Sequence, residues 1–472
     1  MSASPETTVQ VPAPGRTPLA EVLATLSYAF DLTEGQPLGH SVRSCMIGMR
    51  FADELNLAPA DRSALYYALL LKDAGCSSNA THMSALFDSD DRFVKSRMKH
   101  VDWQHRARLA MMTARMVARG RSPMKRIAQT LGVASRTDAA RELTRMRAER
   151  GAEIARGLGF PDATADAIRA LDERWDGSGH PEGLEGEAIP LLARIASLAQ
   201  MAEAFHDEVD ADAAVNAAWK RRGKWFDPRL VDMLAQWRDD EHWWGALRRR
   251  EIAKAAVALE PPQDSRTLEG SDLDHVAQAF AEIIDAKSAF THLHSTRVAA
   301  IAEAIVAEMG FDDSVRVRVR RAGLLHDIGK LGVSTQILDK TSALTTDEQR
   351  KIQRHPYYTW EILRRVSAFA DVSHMASLHH ERLDGSGYPW QATAEALDWP
   401  TRALCVADVY VSITTNRPYR PALTPQGALD HLEKDRGTKL CPAAIDALAA
   451  HLEQQRPAER DADLTNSKVA SA

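Results

Sequence analysis

The sequence predicts an all-α protein made of two tandem helical domains, and three observations carry that prediction. Apolar residues recur at i, i+3, i+4 through "LYYALLLKDAG" (65–75), "VAAIAEAIVAEMG" (298–310) and "AAIDALAAHLE" (443–453), the period of one helix face. Strict alternation over five or more residues is scarce, so no sheet is expected. The two halves also echo each other. "GHSVRSCMIGMRFADELNL" (39–57) matches "LHSTRVAAIAEAIVAEMGF" (293–311), and "ERWDGSGHP" (173–181) matches "ERLDGSGYP" (381–389). The spacings agree as well: His40 to Lys72 and His294 to His326 are both 32 positions, while Asp176 to Gln200 and Asp384 to Asp408 are both 24. Agreement at several separated points indicates a duplicated domain.

Taken in order, residues 1–16 hold Pro, Ser and Thr and read as a solvated tail. The first helical domain spans 17–260 and carries a charge-rich insertion at about 77–145. Within the insertion, "MKRIAQTLGVASRTDAARELTRM" (124–146) has a faint helix-turn-helix look but no basic excess, so a helical hairpin is expected and nucleic-acid binding is not. Trp219, Trp225, Trp237, Trp243 and Trp244, followed by Arg248, Arg249 and Arg250, suggest a helical, Trp-rich linker packed at a domain junction. "EPPQDSRTLEGSD" (260–272) then breaks the helical pattern with two prolines, giving a linker at 261–272. The second domain spans 273–454, and 455–472 reads as a second solvated tail.

At 472 residues the chain exceeds what one core usually supports. A net charge of -6 from 59 basic and 65 acidic residues, with no long block of one sign, points away from nucleic-acid and membrane surfaces. Cys45, Cys76, Cys405 and Cys441 lack CxxC spacing, which argues for a reducing compartment and against a thiolate zinc site. No stretch resembles a signal peptide or approaches the ~18 apolar residues of a membrane span, so a cytoplasmic location is expected.

The second half concentrates metal-type ligands: His294, His326, Asp327, His355, His379, His380 and Asp408. Imidazole nitrogen and carboxylate oxygen suit borderline divalent ions, and one carboxylate can bridge two of them. Seven ligands exceed one site and fit two. A lone His on a helix face is more often a hydrogen-bonded core residue, and His292, His374, His431 and His451 take that reading. Asp327 follows the apolar "AGLL", where an unpaired carboxylate would be costly to bury unless a counter-charge meets it.

With "HSTRVA", "HDIGK", the His-Pro at 355–356, "HHERLDGSGYP", "VADVY" and "NRPYR", residues of about 273–450 resemble the HD-GYP phosphodiesterases, a branch of the HD-domain metal-dependent phosphohydrolases. The resemblance implies that both halves have the HD-type helical fold. It implies that His294, His326, Asp327 and Asp408 form one metal site and that His355, His379 and His380 complete a second, bridged by Asp327. It further implies hydrolysis of the phosphodiester of cyclic diguanylate by a two-metal activated hydroxide, with Asp327 and Lys330 catalytic. Substrate contacts would come from Lys330, Arg417, Arg420 and the turn of Gly385, Gly387, Tyr388 and Pro389. Without a thiolate among the ligands, two ions of iron or manganese are favoured. Two departures are visible. "WQATAEALDWP" (390–400) replaces the family's usual segment beside the ligand pocket, so another nucleotide or phosphoester is the alternative substrate. A non-catalytic cyclic-dinucleotide adaptor is the alternative outside enzymes. Phe290 stands where members with a third metal carry Glu, so two metals are expected.

Aligned on the same spacings, the first half offers His40, Lys72, Asp73, Arg147, Leu171, Asp172 and Gln200 at the seven ligand positions, and Cys76 in place of the lysine. Lys72 and Arg147 place positive charge where ligands should be, so this copy is expected to be degenerate and free of metal. Its role would be regulatory or interactive, through a protein partner or a homodimer.

Overall fold

The computed structural model describes residues 17–98, 116–117, 122–135, 139–249, 251–262, 265–288, 293–416 and 420–469. The expected tail 1–16 lies outside them. The architecture is all-α. Among the described residues the only named strands are Thr17–Pro18 and Thr267–Leu268, which pair antiparallel and tie the start of the first half to the segment joining the halves.

The first half begins with α1 (Leu19–Thr33), α2 (His40–Glu54) and α3 (Pro59–Leu71). A short 3-10 turn, Ala74–Ser77, comes next. The insertion supplies α4 (Ala80–Phe87), α5 (Asp91–Met98) and α6 (Pro123–Ser135). Its stretch 124–146 falls on α6 and the start of α7 (Ala139–Gly157), two helices in succession. Met83, Phe87, Val94, Met116, Val117 and Leu143 give this region a small apolar cluster of its own. Then come α8 (Asp162–Arg169) and α9 (Leu191–Glu208). The tryptophans come after α9, and three of them pack against the first half: Trp237 is buried on Phe51, Trp244 lies against His206, and Arg50 stacks on both Trp237 and Trp243.

The second half repeats the plan with α10 (Ser271–Asp285), α11 (His294–Glu308), α12 (Asp313–Leu325), a 3-10 turn at Ile328–Gly332, α13 (His355–Leu363), α14 (Ala370–Ser377), α15 (Trp399–Ile413) and α16 (Pro442–Val469). The last helix runs beyond the expected end of the domain at 454. Residues 453–462 are rich in Glu, Gln, Arg and Ala, whose intrinsic helix preference is high even without an apolar face.

The repeat is structural as well as sequential. Asp31 accepts hydrogen bonds from Ser41 N (3.0 Å) and Ser41 Oγ (2.8 Å) at the start of α2; Asp285 does the same for Ser295 at the start of α11, with Oγ at 2.7 Å. The isolated bridge Asp176–Glu185 recurs as Asp384–Thr393. Glu173 and Glu381 each hold the succeeding loop through backbone N–H groups.

One contiguous buried apolar cluster runs from Leu19 to Leu448 and takes in residues of both halves. Its centre includes α1, in which every residue but Glu21 is buried. α1 packs against α2 and α3 of its own half and against the 328–332 turn and α13 of the other. Phe30 stacks on Phe280 of α10, ring centroids 5.4 Å apart.

Candidate metal centre

The sequence-predicted ligands come together at one place. His294 opens α11, His326 directly follows α12, Asp327 immediately precedes the 3-10 turn, His355 opens α13, His379 and His380 follow α14, and Asp408 lies within α15. The helices that present them end or begin at the site, so each side chain is held by a fixed backbone. Pro356 near the start of α13 and Pro400 near the start of α15 suit first-turn positions that need no amide donor. Asp398 caps α15 by accepting from Thr401 N at 2.9 Å. Leu293, just before His294, sits at φ 57°, a left-handed conformation that is strained for a leucine.

Asp327 occupies the middle. Its Oδ1 lies 3.3 Å from His355 Nε2 and 3.7 Å from His379 Nε2. Its Oδ2 lies 3.3 Å from His326 Nε2, 3.6 Å from His294 Nε2 and 2.6 Å from Lys330 Nζ. The two carboxylate oxygens therefore face two different groups of histidines. Asp408 closes the site, 3.3 Å from His294 Nε2 and 3.6 Å from His380 Nδ1.

Three histidines have their far nitrogen committed. His326 Nδ1 donates to Gly323 O (2.7 Å), His355 Nδ1 to Ile352 O (2.7 Å) and His379 Nδ1 to Ala376 O (2.6 Å). Each bond reaches back three residues to the end of the preceding turn. A proton on Nδ1 leaves Nε2 as a lone pair aimed at Asp327, the arrangement that metal-ligating histidines adopt.

Burial removes water from the site and tilts four of its histidines toward the neutral ligand form, while against burial the Asp327 carboxylate raises the fifth, His326. Burial first, then the neighbouring imidazoles, hold His379 and His380 well below the usual range, so both stay neutral. Burial lowers His355 and His294 in the same way. Burial disfavours the Asp327 carboxylate, yet His326 and Lys330 outweigh it and hold Asp327 well below the ordinary carboxylate range. Asp408 is likewise held ionised against burial by His294 and His380.

The donor set fits divalent ions. His294 Nδ1 and Nε2, His326 Nε2 and Asp327 Oδ1 are buried and make no hydrogen bond, an arrangement that is costly unless something else satisfies them. The nitrogens of His355, His379 and His380 lie within 4.8 Å of one another, and so do the donors of His294, His326 and Asp327.

The proposed substrate contacts divide. Lys330 is part-buried and reaches Asp327. Tyr388 lies with its ring 4.8 Å from His380, while Pro389 is part-buried beside it. Gly387 is required by packing: a Cβ there would collide with backbone atoms of His380, Glu381 and Arg382. Gly385 takes φ 74°. Arg417 lies outside the described residues. The Arg420 guanidinium donates to Ile413 O and Ser412 O, both at 3.0 Å, and closes the carbonyl end of α15.

Some residues that shape the site are not among the residues singled out from the sequence. Asp285 anchors the start of α11, Thr359 Oγ1 donates to His326 O (2.8 Å) and accepts from Gly329 N (3.1 Å), and Glu381 fastens the loop after His380. The repeat held a signal for two of them, since Asp31 and Glu173 occupy the same positions in the first half.

In the first half the expected replacements are present and paired. Lys72 contacts Asp73, and Arg147 contacts Asp172. His40, at the position of His294, faces Glu203, which also accepts from Arg43 Nε at 2.5 Å; Glu203, one turn beyond Gln200 in α9, was not anticipated. Glu34, Asp73 and Cys76 bring three donors within 4.8 Å. They do not fit a metal: Lys95 lies 3.7 Å from Glu34, Arg147 4.0 Å from it, and Lys72 meets Asp73. Burial, then Glu34, pushes the Cys76 thiol well up, away from thiolate.

A family model described as an HD domain matches residues 76–230 and again 278–443. The chain belongs to the HD-domain family. Both halves are HD domains, and its relatives are consistent with the HD-GYP branch and with a phosphoric diester hydrolase. The 3'3'-cGAMP-specific phosphodiesterase 3 of Vibrio cholerae serotype O1 is 39% identical over 432 residues, 91% of this chain and 94% of that protein. The cyclic di-GMP phosphodiesterase response regulator RpfG of Xanthomonas campestris pv. campestris is 35% identical over 215 residues, covering 44% of this chain and 56% of that protein. Among solved structures, the cyclic GMP-AMP specific phosphodiesterase V-cGAP3 of V. cholerae matches this HD protein at TM-score 0.65 and 36% identity, over 93% of this chain and 98% of that one. No helix among the described residues is long and apolar enough to cross a membrane.

Proposed function

We propose that this HD protein hydrolyses cyclic dinucleotides, 3'3'-cGAMP ahead of cyclic di-GMP, with two divalent ions held by His294, His326, Asp327, His355, His379, His380 and Asp408. The observation that carries the reading is the Asp327 carboxylate, with Oδ1 toward His355 and His379 and Oδ2 toward His294 and His326. Iron or manganese held there would supply a hydroxide nucleophile near neutral pH and neutralise charge on the scissile phosphate.

The chain's own residues do the rest. The backbone carbonyls of Gly323, Ile352 and Ala376 fix three imidazoles in the ligating tautomer. Lys330, beside Asp327, presents an ammonium that binds a phosphate oxygen or meets the leaving group. Tyr388 braces His380 and offers an aromatic edge to a purine. The surrounding apolar helices exclude water and so strengthen each of these charge interactions.

The preference for 3'3'-cGAMP over the cyclic diguanylate expected from the sequence is supported by length of match: the relative of that specificity aligns along nearly the whole chain. The replaced segment 390–400 agrees with an altered base pocket. The GYP turn favours cyclic di-GMP as the second reading. Purified protein loaded anaerobically with iron or manganese should be given 3'3'-cGAMP, cyclic di-GMP and cyclic di-AMP, with products separated by chromatography. Faster initial cleavage of 3'3'-cGAMP is expected. Faster cleavage of cyclic di-GMP would establish the second reading, and no cleavage of any would overturn both.

A further inference from the structure

Lys330 owes its position to a short 3-10 turn, Ile328–Gly332, which lies between Asp327 and the small helix Thr335–Leu338. One side of that turn is held from its own half, where Gly329 N donates to Thr359 Oγ1 at 3.1 Å. The other side is held by α5, from the insertion of the first half. Arg92 Nη1 donates to Gly332 O at 2.6 Å, and Arg92 Nε donates to Leu32 O, at the end of α1, at 2.6 Å. One guanidinium thus joins a carbonyl of each half. Asp91 Oδ1 accepts from Thr335 N at 2.9 Å, and its Oδ2 accepts from Lys287 Nζ at 2.6 Å.

α5 has a second hold. One turn further on, Lys95 Nζ donates to Cys76 O at 2.5 Å. Ala74–Ser77 is the first half's counterpart of Ile328–Gly332, so one insertion helix grips the equivalent turn in both copies. Of these two turns only Ile328–Gly332 itself carries a lysine, Lys330, whose Nζ lies 2.6 Å from Asp327 Oδ2. The contact is tight: a Cβ on Gly35 would collide with the Arg92 carbonyl oxygen.

We propose that Arg92, with Asp91, is a positioning residue for Lys330, so that the insertion of the degenerate half sets the geometry of the active half. This rests on the phosphodiesterase reading of the Asp327 site. A neutral hydrogen bond at one edge and a charge-assisted one at the other leave the turn little freedom, and small misplacements of a group acting on the transition state are costly in rate. Arg92 is the side chain to change. It is half-buried, and its loss strands no buried charge, whereas changing Asp91 would leave Lys287 buried without its carboxylate.

The test compares full-length metal-loaded protein with Arg92→Ala, Arg92→Lys and, as a control further along α5, Arg97→Ala. Hydrolysis of 3'3'-cGAMP by Arg92→Ala should lose about tenfold or more in kcat, with KM changed less than about twofold and metal content retained. Arg92→Lys should recover part of the loss, and Arg97→Ala should match the parent. Hydrogen–deuterium exchange of the peptide 328–337 should be faster in Arg92→Ala, with exchange of α11 and α15 unchanged. If the parent enzyme cleaves no cyclic dinucleotide, the substrate reading fails and the exchange result alone decides the positioning role. Unchanged kcat, unchanged exchange, or a loss of rate accompanied by loss of metal would overturn the proposal.

Discussion

Gly75 and Gly329 occupy the same place in the two halves: a Cβ on Gly75 would strike the carbonyl oxygen of Arg147, and one on Gly329 would strike that of His355. Each glycine lets the helix that bears the next ligand position approach the turn closely. The pairing aligns Arg147 with His355 from backbone contacts alone. Gly329→Ala must push α13 away from the turn, which should cost about 1–3 kcal/mol of stability and lower activity further by moving His355. Gly75→Ala should cost a similar amount of stability, measured by denaturant unfolding, while metal content stays at the parental value.

Removing the central carboxylate should empty the site. Asp327→Ala is expected to abolish hydrolysis and to leave close to no metal, measured by elemental analysis of the full chain, while helical circular dichroism is retained. Metal still bound to this variant at two ions per chain would contradict the bridging role of Asp327.

Arg417 and Arg420 should separate by effect. Arg417→Ala removes a proposed phosphate contact and should raise KM by the equivalent of about 1.5–3 kcal/mol with metal content unchanged. Arg420→Ala removes two donors from the carbonyl end of α15 and should show first in thermal stability, by about 1 kcal/mol. An equal KM effect in both would return Arg420 to the substrate.

Asp31 gives a pH signature. Burial raises its carboxyl from 3.8 to about 6, against the opposing pull of Lys72 and of the hydrogen bonds from Ser41 and Gly39. The folded chain therefore binds this proton more tightly than the unfolded chain does. The resulting penalty is absent below about pH 4, grows as pH rises, and is complete above about pH 6, reaching about 3 kcal/mol. Relative to the parent, Asp31→Asn should thus gain in melting temperature from pH 4.5 to pH 7. A constant difference across that range would contradict the assignment.

The fold class and the gathering of His294, His326, Asp327, His355, His379, His380 and Asp408 at one place were legible because both are written locally. Helix periodicity recurs every few residues, and a histidine–aspartate doublet at fixed distance from other histidines carries its chemistry in residue type. The paired positive charge in the first copy was legible for the same reason, since Lys72 and Arg147 stand at positions fixed by the repeat. What could not be read depends on partners far away in the chain. Glu203 takes His40 across 163 positions, Thr359 braces His326 from the next helix, and Arg92 reaches Gly332 across 240. Such hydrogen bonds have no period and no preferred spacing. That Arg420 also closes the end of α15 could not be read, because the carbonyls of Ser412 and Ile413 have first to be placed.

The near-complete burial of α1 has a consequence for descent. A helix covered on all sides, and pressed against elements of both copies, makes the duplicated halves inseparable by pruning. A chain shortened to begin near residue 261 would lay bare the apolar surface that Phe30 and its neighbours cover. The first half thereby completes the core of the second, whatever stands at Lys72, Arg147 and Gln200.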